Sequence, residues 1–263
     1  MNIGSPSSRT LSHFLAYRLT CCFDSTVMHT QELRMNALNK HHFILSKQML
    51  KANEDQKIKI RDADYPSDLT AILDMYTNAF EEERQFIWAF QTSGETHRKA
   101  LKFLFDGRLF MMKMFTKNIL LVCHDEGKIV GACGIQPNSC ESTLYHQIRA
   151  GLLLIPIYYG YESLSRLQRL GASSKESVID ETGGVLVMMA IEPKYQGQGI
   201  GSKLLIDILK KWDSEGGGDL RLSTQTEANV RFYTRHGFVV THSIEFVDFT
   251  DWTMKRKKTS EEK

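Results

Sequence analysis

No apolar run in this chain is long enough to cross a bilayer. The longest, Ala150 to Tyr161, spans twelve residues and is interrupted by Pro156, whereas a spanning helix needs roughly 20. Charge of one sign is equally scarce: 33 Lys and Arg face 31 Asp and Glu, a net of +2. So balanced a chain offers no broad field for nucleic acid or an anionic membrane. Only five cysteines occur (Cys21, Cys22, Cys123, Cys133, Cys140), with no Cys-x-x-Cys and histidine partners, so no metal site is expected. Their odd number fits a reducing compartment and reads as packing thiols.

Acids are missing before Asp24, where Ser, Thr, Arg9 and Arg18 are frequent and Leu11, Phe14, Leu15, Tyr17 and Leu19 supply the apolar part. Mitochondrial presequences and plain unstructured extensions share that composition. Arg18 breaks the apolar segment that a secretory signal requires. Residues 1–56 therefore read as an N-terminal extension, partly disordered, with an imperfect helical stripe (Leu33, Leu38, Leu45, Met49) between Thr30 and Asn53. The expected location is cytoplasmic, with a mitochondrial one as the alternative.

What remains has the composition of a globular protein, 42% hydrophobic and 24% charged. Its most informative stretch runs from Val185 to Trp212. Val185 to Ile191 is an apolar run of strand length, and Leu204, Leu205, Ile208, Leu209 and Trp212 recur at helical spacing. Between them lies Glu192-Pro193-Lys194-Tyr195-Gln196-Gly197-Gln198-Gly199-Ile200-Gly201-Ser202. Glycines at every second position let a ligand approach the main chain, and unpaired N–H groups at a helix mouth suit a phosphate or pyrophosphate. The order Gly201-Ser202-Lys203 is not that of a P-loop. The G-x-G-x-G spacing after Pro193 is not that of a dinucleotide fingerprint. A glycine-rich turn that binds nothing satisfies the same pattern.

The stretch does match Gln/Arg-x-x-Gly-x-Gly/Ala, as Gln196, Gly199 and Gly201, and so resembles the acetyl-CoA motif of the GNAT superfamily of N-acetyltransferases. A second match follows. Asp219 to Thr224 reads as a strand, and Asn229, Tyr233 and Gly237-Phe238 stand where the superfamily has an Asn and a Tyr in a short helix and Gly-Phe entering the next strand. The resemblance runs from about Ile58 to Arg256, is weaker between Glu81 and Lys113, and is absent before Gln56. It implies a mixed α/β GNAT fold over residues 57–263. The family's sheet is twisted, mostly antiparallel, of about seven strands, splayed between the fourth and fifth, with helices on both faces.

The remaining elements are read onto that frame. Lys57 to Arg61 alternates as a strand, and Pro66-Ser67-Asp68 caps a helix over Leu69 to Phe80. A second helix is expected from Glu95 to Phe115, with Gly107 as a break and Phe103, Leu104, Phe110, Met111, Met114 and Phe115 as its apolar surface. Ile119 to His124 and Lys128 to Ile135 form a hairpin around Asp125-Glu126-Gly127. An insertion near 144–172 follows, divided by Pro156 and Gly160. Leu152, Leu153, Ile155, Ile157, Tyr158 and Tyr159 are expected against the sheet, with Arg166 and Arg169 outside. Phe238 to Val240, Glu245 to Val247 and Trp252 to Met254 fit the last strands, and Lys255 to Lys258 a charged tail.

The resemblance implies transfer of the acetyl group of acetyl-CoA to a primary amine of a small molecule or peptide, with no metal required. Gln196, Gly197, Gln198, Gly199, Ile200, Gly201 and Ser202 would hold the diphosphate. Main-chain groups of Met189, Ala190 and Ile191 would pair with the pantetheine arm, and Asn229 would bond that arm or cap its helix. Tyr233 would act as general acid, its phenol of pKa about 10 protonating a thiolate whose acid lies near 8.5. Alternatively, it packs in its helix and bonds the thioester sulfur. The base is open among Asp180, Glu181, Glu192, Glu141 and His146. Related antibiotic acetyltransferases tend to carry His-Trp before the fourth strand. Gly183-Gly184 stands there instead, which argues against their substrates. A non-catalytic acyl-CoA-binding module and a protein lysine or N-terminal acetyltransferase are the competing functions. The chain is expected to be a monomer or homodimer.

Overall fold

The computed structural model describes residues 58–115, 119–140, 143–173 and 182–258, so the expectations for residues 1–56 lie outside the described part. The chain enters as strand β1 (Ile58–Asp62) and continues through helices α1 (Leu69–Phe80), α2 (Arg84–Phe90) and α3 (Gly94–Met114). The hairpin β2 (Ile119–Asp125) and β3 (Lys128–Pro137) precedes three short helices, α4 (Leu144–Arg149), α5 (Ile155–Tyr159) and α6 (Tyr161–Ser173). Then come β4 (Gly184–Ile191), α7 (Ile200–Ser214), β5 (Leu220–Thr224), α8 (Glu227–Thr234), β6 (Val239–Glu245) and β7 (Thr250–Arg256). The strands form one sheet in the order β1-β2-β3-β4-β5-β7-β6, antiparallel except where β4 runs parallel to β5.

Both faces of the sheet are covered, because its central strands are apolar on both sides of their two-residue period. Leu121, Cys123, Val130, Cys133 and Ile135 pack with Leu204, Leu205, Ile208 and Trp212 of α7. Leu120, Val122, Ile129 and Ala132 pack on the other face with Ile72 and Tyr76 of α1 and Leu101, Phe105 and Leu109 of α3. Burial pushes the Cys123 thiol up to about 12, as befits a packing thiol. No helix among the described residues is long and apolar enough to cross a membrane.

Several local expectations are corrected. Asp68 stands at the N-cap of α1, but its side chain makes no cap bond; it takes Arg61 on both oxygens and the N–H of Asp64. Helix α2 was not anticipated. Helix α3 runs through Gly107 unbroken, and its buried stripe is Ala100, Leu101, Leu104, Phe105, Leu109 and Met112. Gly107 is there for proximity: a Cβ would lie 2.6 Å from Leu152 Cδ2 and 2.8 Å from the Ala150 oxygen. Within the insertion Ile155 is buried, whereas Ile157 and Tyr158 are 74% and 64% exposed. Arg166 lies inward, its Nε donating to the Ala89 oxygen, whereas Arg169 is exposed as expected, over the Trp88 ring. Phe246 and Val247 lie outside β6, in a turn closed by the Phe246 N–H on the Phe249 oxygen. Lys255 and Arg256 end β7 rather than begin a tail, and Arg256 pairs bidentately with Asp213 of α7 at 3.0 and 2.6 Å.

Candidate active site

The site begins where the sheet comes apart. Strands β4 and β5 pair only at Gly184↔Leu220 and Val185↔Arg221; beyond Val185 they diverge. On its other edge β4 carries a bulge against β3, where two positions are consumed between Ala132 and Gly134 and three between Ala190 and Val187. Met188 absorbs the extra residue at a φ of 51°, a left-handed conformation strained for a side chain of its size. Met188 and Met189 consequently have no registered partner on either neighbour. Such a bulge turns main-chain groups out of the ladder, and here it turns them beside an open cleft.

At the end of β4 the chain makes a short turn, Pro193–Tyr195, and enters the glycine loop. Gly197 and Gly199 have φ of 77° and 83°, with open space where a Cβ would stand. Gly199 is the N-cap of α7. The first bond closing the helix runs from the Lys203 N–H to the Gly199 oxygen at 3.1 Å, and the N–H groups of residues 197–202 find no acceptor among the described residues. Those donors and the positive end of the helix dipole make an anion site. The side chains play a different part from the main chain here. Gln196 Nε2 donates to the Ile191 oxygen at 2.9 Å and Gln198 Nε2 to the Lys194 oxygen at 3.2 Å, bracing the loop. The Ile200 side chain belongs to the core, so only its N–H could face a ligand.

A cavity of about 470 Å³ lies over this loop, lined by Met189, Ala190, Ile191, Gln196, Gly197, Gly199, Gly201, Ser202, Asn229 and Tyr233, with Arg235 at its side. A smaller one of about 220 Å³ opens between β4, β5, α2 and α3. The two share Phe80, Glu83, Met189, Asn229 and Tyr233. Helix α8 supplies Asn229 and Tyr233. It is capped by Thr226, whose Oγ1 accepts the Asn229 N–H, so Asn229 is not the cap. Tyr233 is buried, and desolvation first, then Cys133 and Glu83, pushes its phenol well above its ordinary value.

Glu83 is the residue that sequence reasoning missed. It ends the run Glu81-Glu82-Glu83 at the N-cap of α2, yet its side chain makes no cap bond and lines both cavities. Burial pushes its carboxyl above the ordinary value of 4.5, the shift expected of a base meant to work nearer neutrality. The run of acids between Phe80 and Phe86 was the available signal. The earlier candidates fare worse. Glu192 takes Asn78 at 3.5 Å and lines neither of these cavities, and His146 closes a capping box with Thr143. Glu141, Asp180 and Glu181 lie outside the described residues.

Residues 168–240, which hold β4, the glycine loop, α7, β5 and α8, match the family model described as "Acetyltransferase (GNAT) domain". No curated protein sequence gives a significant match. Among solved structures, the ribosomal-protein-S18-alanine N-acetyltransferase of Escherichia coli is 13% identical with a TM-score of 0.45, over 76% of this chain and 94% of that one. The PaiA N-acetyltransferase of Thermoplasma acidophilum, solved in complex with coenzyme A, gives 15%, 0.46, 76% and 98% in the same measures. A GCN5-related N-acetyltransferase of Kribbella flavida gives 15%, 0.48, 77% and 99%.

Proposed function

We propose, from the premise that this chain carries a GNAT acetyltransferase domain and with it acetyl-CoA-dependent acyl transfer, that it acetylates a primary amine by direct attack within a ternary complex. The residues present fit the carrier. The donors of residues 197–202 suit its diphosphate, and the unzipped edge at Met189, Ala190 and Ile191, with Asn229 opposite, suits an amide-bearing arm. When bound, acetyl-CoA supplies an activated acetyl group on a thiol leaving group. The rest falls to the chain's own residues.

An alkylammonium of pKa about 10.4 must lose its proton before it attacks. Glu83, whose side chain makes no hydrogen bond or ion pair among the described residues and is raised by burial, takes that proton directly or through one water. Main-chain N–H groups turned out by the Met188 bulge are placed to steady negative charge on the acyl oxygen. Tyr233 holds its proton firmly and gives it up only as charge gathers on the sulfur, because burial disfavours the phenolate. The observation that carries this reading is the meeting of the two cavities at Glu83, Met189 and Tyr233. It also favours an enzyme over a passive acyl-CoA binder, which needs neither a base nor an acid there. The walls that α3 and α6 give the smaller cavity favour a small acceptor over a protein chain.

Free thiol measured from purified protein, acetyl-CoA and a panel of amines tests the reading. Release that depends on the amine, and falls about 100-fold in Tyr233→Phe with acetyl-CoA affinity intact, is expected. Tight acetyl-CoA binding with no release across the panel would leave only the binding module.

A further inference from the structure

The smaller cavity contains a cation that the proposed chemistry does not use. On α3 Arg108 shares a stripe with the buried Leu104 and Met112, four residues to either side, but is itself exposed. A position in that stripe is ordinarily apolar. Arg108 is the only Lys or Arg among the described residues lining this cavity.

Half-buried arginines of the described residues are engaged, whereas Arg149 and Arg235, exposed like Arg108, are not. Arg98 pairs with Glu81 and donates to Asn78; Arg166 pairs with Glu162; Arg256 pairs with Asp213. Arg108 makes no hydrogen bond or ion pair among the described residues, and Glu83, which lines the same cavity, is not within ion-pair reach. The surrounding chain lowers its pKa by desolvation, while its exposed surface keeps contact with water. A guanidinium so placed favours any ligand that brings negative charge, and its planar fork matches a carboxylate on two bonds.

Resting on the acetyl-transfer reading above, we propose that Arg108 receives a carboxylate of the acceptor, which is a small apolar amino acid or a close analogue carrying both groups. The amine reaches Glu83 while the carboxylate forks onto Arg108. Phe80, Phe86 and Phe105, with ring centroids 5.2 to 5.7 Å apart, supply an apolar wall of the same cavity. The volume of about 220 Å³ is below the roughly 300–1,000 Å³ typical of drug-sized ligands, and suits a molecule of amino-acid size.

The test uses matched acceptors that differ only in the carboxylate: phenylalanine against phenethylamine, and leucine against isoamylamine. Acetyl-CoA binding is first measured by calorimetry in the wild type, Arg108→Gln and Arg108→Lys, and should be equal in all three. Wild-type kcat/KM should favour the amino acids by roughly 10- to 100-fold. Arg108→Gln should lose that preference, its rate falling far more on the amino acids than on the plain amines, and Arg108→Lys should keep part of it. Independently of turnover, N-acetylphenylalanine should bind the CoA-loaded wild type more tightly than N-acetylphenethylamine does, and Arg108→Gln should erase the difference. Equal handling of the matched pairs by the wild type, a preference that survives in Arg108→Gln, or no turnover of either member by protein that binds acetyl-CoA overturns the assignment. Protein that does not bind acetyl-CoA overturns the acetyl-transfer reading itself.

Discussion

Glu83 has two consequences that pull in opposite directions. Its carboxyl is raised above 4.5 by burial, which improves it as a base and makes its ionised form a burden on the fold. Glu83→Gln should lower kcat by about 100- to 10,000-fold with acetyl-CoA affinity unchanged. Wild-type kcat/KM should rise with pH through the Glu83 pKa, and that limb should vanish in the variant. The stability effect has the other sign. A folded-state pKa above the unfolded one means the native chain holds the proton more tightly; that stabilisation is complete below 4.5 and is lost as pH rises through the folded value. At neutral pH Glu83→Gln should therefore melt above the wild type, with the gap closing as the solution is acidified, as circular dichroism would report. Tyr233 and Asn229 were legible in the sequence because family spacing marks them. Glu83 was not, because nothing local separates it from Glu81 and Glu82. Packing does: Glu81 is taken by Arg98 of α3, Glu82 is exposed, and Glu83 turns into the cleft.

At the scale of elements, periodicity gave the strands and the long helices to within a residue or two, and failed where a residue's role is set by something distant in sequence. Gly107 is the clearest case. A glycine in a helical run reads as a break, yet α3 passes through it and the residues after α4 pack where a side chain would be. Gly107→Val would push a methyl-bearing Cβ into Leu152 and the Ala150 oxygen, and should cost about 1–3 kcal/mol of stability, measured by denaturant unfolding. Ile157 and Tyr158 failed for the complementary reason. Their hydrophobicity predicts burial, but on the five-residue α5 Ile155 and Tyr159, four apart, take the inward positions and leave both in solvent. Arg166 and Arg256 were read as surface charges. Each instead has an acceptor from another part of the chain: the Ala89 oxygen for Arg166, Asp213 for Arg256.

Across the whole molecule, the site exists because a seven-stranded sheet is closed at one end of the β4–β5 seam and open at the other. Buried cores on both faces hold the two halves while the seam stays unzipped. The sheet, its splay and the glycine loop were all expected from the sequence, because they are carried by contiguous motifs. The α2 wall of the smaller cavity was not, since no motif marks that seven-residue helix. The central claim is that bare amides in the glycine loop hold the thioester carrier. Calorimetric titration of acetyl-CoA into the wild type, Glu83→Gln and Gly199→Val tests it most directly, because Gly199 sits at a φ of 83° that a β-branched residue resists. Equal affinity in the wild type and Glu83→Gln, with no measurable binding to a folded Gly199→Val, is the predicted result. Wild-type protein that takes up no heat, or a Gly199→Val that binds as tightly as the wild type, would contradict it.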